Sequence, residues 1–303
     1  RASFARASEL APGLPEAWIN LSTACLEAGD DVAARAACER LLALVPGHAD
    51  AEFGLGLVHS HAGRTQAAQA ALRRAIASDP AHAPAWTELG LLARAAGDRA
   101  AAIEAFERVV ALDPGSPVGH MNLGVQLRAA GDFAGAIACQ RRAVALDPGN
   151  AGAWSNLGNA LEDSGDAHGA LEAQTRAAAL APEESETLFN LANALAANER
   201  DADAIAAYRR ALAQAPGHVQ ALTNLGNVLH RTGDVAGARA AYERAIALDP
   251  ANVGALSNLG GALAEAGDPA AALAARRRAV ELAPDDPETH FGLAVALAAN
   301  HRY

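Results

Sequence analysis

Apolar residues recur along this chain at the spacing of amphipathic helices. In the stretch 151–184, residues at i, i+3, i+4 and i+7 form one helix face, and they are Trp154, Leu157, Gly158 and Leu161. After a break, a second apolar face is formed by Leu171, Ala178 and Leu180. The pattern therefore predicts two short helices separated by a turn.

The break between the two faces carries residues that end one helix and begin the next. Gly165 can adopt the left-handed conformation that closes a helix, and Asp166 can cap the helix that follows. Pro182 then stops the second helix, because proline lacks an amide donor and restricts the residue before it. The turn glycine recurs at Gly29, Gly63, Gly97, Gly131, Gly233 and Gly267.

This helix-turn-helix unit repeats every 34 residues in three columns. The proline column is Pro12, Pro46, Pro80, Pro114, Pro148, Pro182, Pro216, Pro250 and Pro284. The leucine column is Leu21, Leu55, Leu89, Leu123, Leu157, Leu191, Leu225, Leu259 and Leu293. The alanine column is Ala34, Ala68, Ala102, Ala136, Ala170, Ala204, Ala238 and Ala272. A unit of this size cannot bury its apolar face alone, so the period predicts an array of stacked units.

The columns resemble those of the tetratricopeptide repeat (TPR) family over essentially the whole chain. The family's tryptophan position holds Trp18, Trp86 and Trp154, and its helix-contact glycine holds Gly56, Gly90, Gly124, Gly158, Gly226 and Gly260. Its second-helix aromatic is matched by Phe4, Phe106, Tyr208 and Tyr242, but Gln140, Gln174 and Arg276 depart from it. Leucine stands where a tyrosine is common at Leu127, Leu161, Leu195, Leu229 and Leu263. The resemblance implies an all-α fold, a right-handed α-solenoid (superhelix) whose first helices line a concave groove.

The period divides the chain into a partial unit at 1–14, eight full units over 15–286 and a partial unit at 287–303. We expect a single solenoid over 1–303. Because neither end carries the polar capping helix of a solenoid, we expect this sequence to be a segment of a longer protein. Two turns lack the glycine, Asn198-Glu199-Arg200 and Asn300-His301-Arg302, and we expect Asn198 to take the left-handed conformation.

Composition and charge exclude several classes of protein. Charged residues interrupt every apolar stretch before the roughly 18 residues of a membrane span are reached. A net charge of −11 disfavours binding to the negatively charged phosphate backbone of nucleic acid. Cys25, Cys38 and Cys139 have no disulfide or zinc-site spacing, and we interpret them as reduced, half-buried side chains. The first residues show no secretory signal, which leaves open one upstream of this segment. The expected location is the cytoplasm. The absence of lysine among 24 basic residues is typical of a GC-rich bacterial genome.

We find no pattern of an enzyme, a metal site or a cofactor site. His59 and His61 are the closest to a metal pair, but residues two apart on a helix point about 200° apart. The glycines belong to the repeat columns, so none forms a phosphate loop after a strand. The run Arg276-Arg277-Arg278 lies on a second helix, where a solvated outer face is expected.

Asparagine stands out from this background. One first-helix column, just before the leucine column, holds Asn122, Asn156, Asn190, Asn224 and Asn258, with Asn20 upstream. A second column, one turn further on, holds Asn159, Asn193 and Asn227. An amide offers both a donor and an acceptor, so a row of them in the concave groove can bind the main chain of an extended peptide. The alternative is that these amides bond only across the repeat interface.

Three functions remain open. The strings at 156–159, 190–195 and 224–227, and the stretch His290–Tyr303, resemble the TPR arm of O-GlcNAc-transferase-like and bacterial TPR glycosyltransferases, which implies a substrate-holding segment. A co-chaperone-type adaptor would grip a carboxylate with Arg94, Arg128 and Asn122. A structural assembly scaffold would bind nothing in the groove. The expected partners are proteins or peptides, and a homodimer is a further candidate.

Overall fold

The computed structural model describes residues 1–300, and regular structure within that range is entirely helical. Eighteen helices follow one another along the chain. They are α1 (Ala2–Leu10), α2 (Pro15–Glu27), α3 (Asp31–Leu44), α4 (Ala49–His61), α5 (Thr65–Ser78), α6 (Ala83–Ala95), α7 (Arg99–Leu112), α8 (Pro117–Ala129), α9 (Phe133–Leu146), α10 (Ala151–Asp163), α11 (Ala167–Leu180), α12 (Ser185–Ala197), α13 (Asp201–Gln214), α14 (Val219–Arg231), α15 (Val235–Leu248), α16 (Val253–Glu265), α17 (Pro269–Leu282) and α18 (Pro287–Asn300).

The turn chemistry predicted for 151–184 is confirmed. Gly165 has a φ of +87°, which side-chain-bearing residues rarely adopt. The Asp166 carboxylate accepts a hydrogen bond from the Gly169 N–H at 2.9 Å and so caps α11. At the end of α11, Ala181 takes φ −129° and ψ 69°, outside the helical region, as the residue before a proline must. Each repeat is therefore two antiparallel helices joined by a tight turn.

The chain forms two compact units, Arg1–Pro148 and a second that begins at Gly149. In each, first and second helices of a repeat pack together and then pack on the next repeat, which is an α-solenoid arrangement of TPR units. The core of the first unit includes Cys38, Leu72 and Phe106, and that of the second includes Tyr208 and Tyr242. A single array over 1–303 stays a prediction.

The alanine and glycine columns explain how the helices approach so closely. Every member of the alanine column from Ala34 to Ala272 is at most 1% exposed. The helix-contact glycines lie directly beneath the large second-helix residue of the same repeat. A Cβ on Gly226 would stand 2.5 Å from the Tyr242 ring, and one on Gly158 would stand 2.5 Å from the Gln174 amide. The small residue on the first helix therefore leaves the space that the large one fills.

One turn differs from expectation. Asn198 has a φ of −95°, and Glu199 takes the left-handed conformation at φ 58°. The prediction for Asn198 was wrong because the position of the turn is set by the register of the repeat, and Glu199 stands 34 residues after Gly165. The Asn198 amide instead donates to the carbonyls of Ala167 and Ala194, both at 2.8 Å. The corresponding turn at Asn300-His301-Arg302 lies outside the described residues.

Two further expectations need correction. Cys25 and Cys38 are fully buried rather than half-buried, because each lies against the neighbouring helix of its repeat, whereas Cys139 is partly exposed as expected. Arg277 and Arg278 are exposed, but Arg276 is not on the outer face. It occupies the second-helix position that faces the first helix, and its side chain lies over Gly260. No helix between residues 1 and 300 combines the length and apolarity needed to cross a membrane.

Candidate functional site

The two asparagine columns of the second unit lie on its first helices, α10, α12, α14 and α16. Their side chains are partly or fully exposed rather than buried. In the first unit, the residues at the same two positions of the repeat are different. Asn122 is only 9% exposed, and the second column there holds Leu57, Leu91 and Val125 in place of asparagine. Asn20 in the first unit is exposed, but Thr23 holds the second column of its repeat. The paired columns of exposed amides therefore belong to the second unit, and we call its asparagines the amide row: Asn156, Asn159, Asn190, Asn193, Asn224, Asn227 and Asn258.

The amide row is tied together by hydrogen bonds between repeats. Asn224 Nδ2 donates to Asn193 Oδ1 at 3.0 Å, and Asn258 Nδ2 donates to Asn227 Oδ1 at 2.8 Å. One repeat earlier, Asn190 Nδ2 donates to Ser155 Oγ at 3.1 Å. First-column asparagines thus reach back to the preceding first helix.

Side chains of the second helices donate hydrogen bonds to the second-column asparagines. The Tyr208 hydroxyl donates to Asn193 Oδ1 at 2.6 Å, and the Tyr242 hydroxyl donates to Asn227 Oδ1 at 2.8 Å. Gln174 takes the same place in its repeat and donates to Asn159 Oδ1 at 2.8 Å. Both tyrosines are about 1% exposed. Burial raises the pKa of each to about 12, so the hydroxyls stay protonated and keep donating at neutral pH.

These internal bonds leave the row with a defined set of free groups. Oδ1 of Asn193 and Asn227 each accepts two hydrogen bonds, so only their Nδ2 groups are left to donate. In Asn224 and Asn258, one of the two Nδ2 hydrogens is used, so Oδ1 is left to accept and the second N–H is left to donate. The second column therefore offers donors alone, whereas the first column also offers acceptors.

The row borders a cavity of about 370 Å³ within the second unit. Its lining combines three asparagines with the Tyr208 hydroxyl and two charged residues at its edge: Glu162, Asn193, Ala196, Ala197, Tyr208, Asn224, Asn227, Val228 and Arg231. The Arg231 guanidinium is held by Asp201, which raises its pKa. The cavity is thus polar without an unpaired arginine.

A second hollow of about 350 Å³ shares Asn224 with the first. It is lined by Phe189, Gln220, Thr223, Asn224 and Asn252. The Phe189 ring packs against His218 with centroids 4.6 Å apart, so it forms a fixed apolar wall. The two hollows meet at Asn224, and the second places the Phe189 ring beside the amides.

Sequence reasoning missed the residues that orient the row. Tyr208, Tyr242 and Gln174 were considered only as packing residues, and Ser155 was not considered at all. A signal existed, since each asparagine in the second column coincides with a polar side chain in the second-helix aromatic column of the same repeat. The other candidate residues lie in the first unit: Arg94 and Arg128 are in the last turns of α6 and α8, and Asn122 is on α8.

The described residues contain no group of three or more histidine, cysteine or carboxylate side chains able to hold a metal ion. His61 Nδ1 lies 2.9 Å from the Asp31 carboxylate, and His59 lies apart from this pair. The buried thiol of Cys38 has its pKa raised to about 11 by burial, which disfavours the reactive thiolate.

Comparison with known families assigns most of the chain. A tetratricopeptide repeat model matches residues 1–49, 53–117, 189–253, 223–287 and 257–303, and a second matches 151–184. A TPR repeat model matches residues 126–165. No curated protein matches the chain.

Solved structures resemble the chain to different extents. The crystal structure of MamA is 28% identical with a TM-score of 0.50, covering 54% of this chain and 95% of that one. YrrB, described as a TPR protein with an unusual peptide-binding site, is 21% identical with a TM-score of 0.53, covering 62% and 97%. PilF of Pseudomonas aeruginosa is 20% identical with a TM-score of 0.61, covering 72% and 97%. The last two show likeness of fold alone.

Proposed function

Because the chain belongs to the tetratricopeptide repeat family, we propose that it is a protein-interaction scaffold that binds extended peptide segments along the amide row. The observation that carries the proposal is the pairing, on an exposed face, of second-column amides that can only donate with first-column amides that can also accept. An extended peptide presents its own N–H and C=O groups in alternation. The binding is then largely independent of peptide sequence.

The energetics favour many weak contacts over one strong one. A neutral hydrogen bond contributes only about 0.5–1.5 kcal/mol net. The internal bonds from Tyr208, Tyr242 and neighbouring asparagines hold the amides in place before binding. Less side-chain entropy is therefore lost when a peptide is bound, which is the benefit of preorganisation.

The finer proposal concerns the protein to which this scaffold belongs. The asparagine strings support a substrate-holding arm of an O-GlcNAc-transferase-like glycosyltransferase, with the transfer chemistry in another domain. The complete reading frame tests this. Two Rossmann-like halves after residue 303 would support it, and an unrelated domain in that place would contradict it.

The peptide-binding proposal is tested by removing the first-column amides. A triple substitution, Asn190→Ala, Asn224→Ala and Asn258→Ala, leaves each second-helix hydroxyl its asparagine acceptor. We expect at least tenfold weaker binding of a panel of fluorescein-labelled, uncharged ten-residue peptides, followed by fluorescence anisotropy.

The control carries Gln66→Ala and Gln214→Ala, which remove exposed amides from second helices. It is expected to bind like the wild type. Equal binding by the triple variant and this control would exclude the amide row as the site and favour a purely structural scaffold. A salt titration distinguishes a carboxylate clamp at Arg94 and Arg128 from the amide row. Binding to the clamp would weaken markedly as ionic strength rises, and binding to the amides would not.

A further inference from the structure

The last described repeat interface of the second unit breaks the pattern of the amide row. At the preceding interface, Tyr242 contacts Asn227, and Asn258 completes the group. Thirty-four residues later the three corresponding residues are Arg276, Gly261 and Gly292. Both amides are absent there, and a guanidinium replaces the hydroxyl.

The two glycines leave the space that the arginine occupies. A Cβ on Gly261 or Gly292 would stand 3.7 Å from a guanidinium nitrogen of Arg276, in van der Waals contact, so the atoms of a longer side chain at either place would share the space around the guanidinium. The stem of Arg276 fills the groove over Gly260, as the tyrosine ring does over Gly226. The guanidinium therefore lies at the place that the amides of the row occupy in the preceding repeats.

The hydrogen bonds of this guanidinium are incomplete. Nη1 donates to the Gly292 carbonyl of α18. Nε is buried with no acceptor, and Nη2 makes no hydrogen bond to residues 1–300 and remains open to solvent. An arginine has five N–H donors, so most of this one's capacity is unused.

The charge is also uncompensated. Arg74, Arg231 and Arg239 each lie against a carboxylate that raises their pKa. Burial lowers the pKa of Arg276, with no carboxylate among its contacts. A partly desolvated cation without a partner is unfavourable. A bound carboxylate would satisfy both the free donors and the charge.

We propose that Arg276 is a carboxylate-binding subsite at the end of the amide row, reached through the notch between Gly261 and Gly292. It rests on the proposed peptide-binding function and gives that function a chemical preference. The carboxylate is an aspartate or glutamate side chain, or the C-terminus, of a segment whose main chain lies on the amide row. Nη2 donates to its oxygens in a charge-assisted hydrogen bond.

The subsite is tested first without any peptide. In the full 303-residue chain, the Nε–Hε resonance of Arg276 is identified by its loss in Arg276→Gln, a substitution for which Gln140 and Gln174 provide precedent at the same register. N-acetylglycine, at constant ionic strength, is expected to give a saturable shift of this resonance, and N-acetylglycinamide is expected to give none. The Arg277 resonance, from an exposed neighbour, is the control. A shift equal to that of Arg277, or equal for acid and amide, would overturn the proposal.

The second experiment uses the peptide panel. Uncharged, amidated ten-residue peptides are compared with versions that carry one glutamate, one glutamine or a free C-terminus. We expect at least fivefold tighter binding of either a glutamate peptide or the free-acid peptide, which identifies the source of the carboxylate. Arg276→Gln should abolish this preference, and Arg277→Gln should keep it.

The two proposals fail in different ways. If Arg276 responds to N-acetylglycine but uncharged peptides do not bind, the subsite stands and the amide-row function is wrong. If uncharged peptides bind through the row but no carboxylate preference is lost in Arg276→Gln, the subsite is wrong and the row stands. Unchanged thermal unfolding of Arg276→Gln would show that lost binding is not lost folding.

Discussion

At the scale of the residue, the register of the repeat overrides the preference of the side chain that occupies a position. Glu199 adopts a φ of 58° although Asn198, beside it, tolerates that region better. The hydrogen bonds of the turn place the left-handed residue at one position only. The Arg200 N–H donates to the Leu195 carbonyl at 2.9 Å, as the Asp166 N–H does to Leu161. Local propensity therefore predicted the wrong residue.

This strain makes Glu199→Gly a stabilising substitution. The left-handed conformation costs a residue with a Cβ about 1–2 kcal/mol, and glycine avoids this cost. Glycine also raises the conformational entropy of the unfolded chain, which offsets part of the gain. We expect a net gain of up to about 1 kcal/mol in the free energy of unfolding, measured with urea. Glu199→Ala, which keeps the Cβ, should bring no gain, and a gain of equal size would contradict the explanation.

Glu88 gives the stability of the first unit a dependence on pH. It stands in the first asparagine column, and burial raises its pKa above 4.5. A carboxyl with a raised folded-state pKa favours folding while it is protonated, and that contribution is lost as pH rises through the folded pKa. We expect Glu88→Gln to be more stable than the wild type at pH 7 and level with it at pH 4. Urea unfolding at both values tests this, and an equal difference at both would contradict it.

At the scale of the element, the contact between the two helices of a repeat depends on matched sizes. Gly226 and Tyr242 are such a pair, and Gly158 and Gln174 are another. Sequence analysis predicted the glycine column but considered glutamine in the partner position a departure. The structure shows that Gln174 replaces an aromatic because its amide bonds Ser155 O at 3.1 Å and Asn159.

Gly226→Ala therefore has the opposite effect to an ordinary glycine replacement in a helix. The new Cβ would meet the Tyr242 ring at 2.5 Å, and we expect a loss of about 1–3 kcal/mol from overpacking. Gly254 is the matched control, since a Cβ there has no neighbour closer than 3.7 Å. Gly254→Ala is expected to gain about 0.5–1 kcal/mol from helix propensity. Chemical denaturation of both variants would contradict the size-matching explanation if their stabilities changed in the same direction.

At the scale of the whole molecule, stability is a sum over neighbouring helices because each repeat packs only on those beside it. A local defect should therefore stay local. Ala204→Leu places three extra carbons at a position that is 0% exposed, and we expect a loss of about 1–3 kcal/mol.

Hydrogen exchange measures how far this defect extends. Amide protection is expected to fall in α12 to α15 and to be unchanged in α2 to α5. Ala206→Leu, at an exposed position on the same helix, is the control. A uniform loss of protection across all helices would contradict the nearest-neighbour description.

The sequence by itself determined the helices, the glycine-containing turns and the buried columns. This was possible because the residues that cap a helix, end it with proline or pack as small side chains recur every 34 residues. The period therefore marks the positions at which these local rules apply. The asparagine columns were also visible in the sequence, because the two asparagines of a repeat lie on the same first helix.

Only the tertiary structure decided what those asparagines do to one another. The bonds from Asn224 to Asn193 and from Tyr208 to Asn193 join residues 31 and 15 positions apart, and their lengths depend on how two helices pack. The same holds for Arg276, which a sequence pattern places on a helix face but cannot place against Gly261 and Gly292. Hydrogen bonds act over about 3 Å, whereas the periodicity of a sequence specifies a face and not a distance.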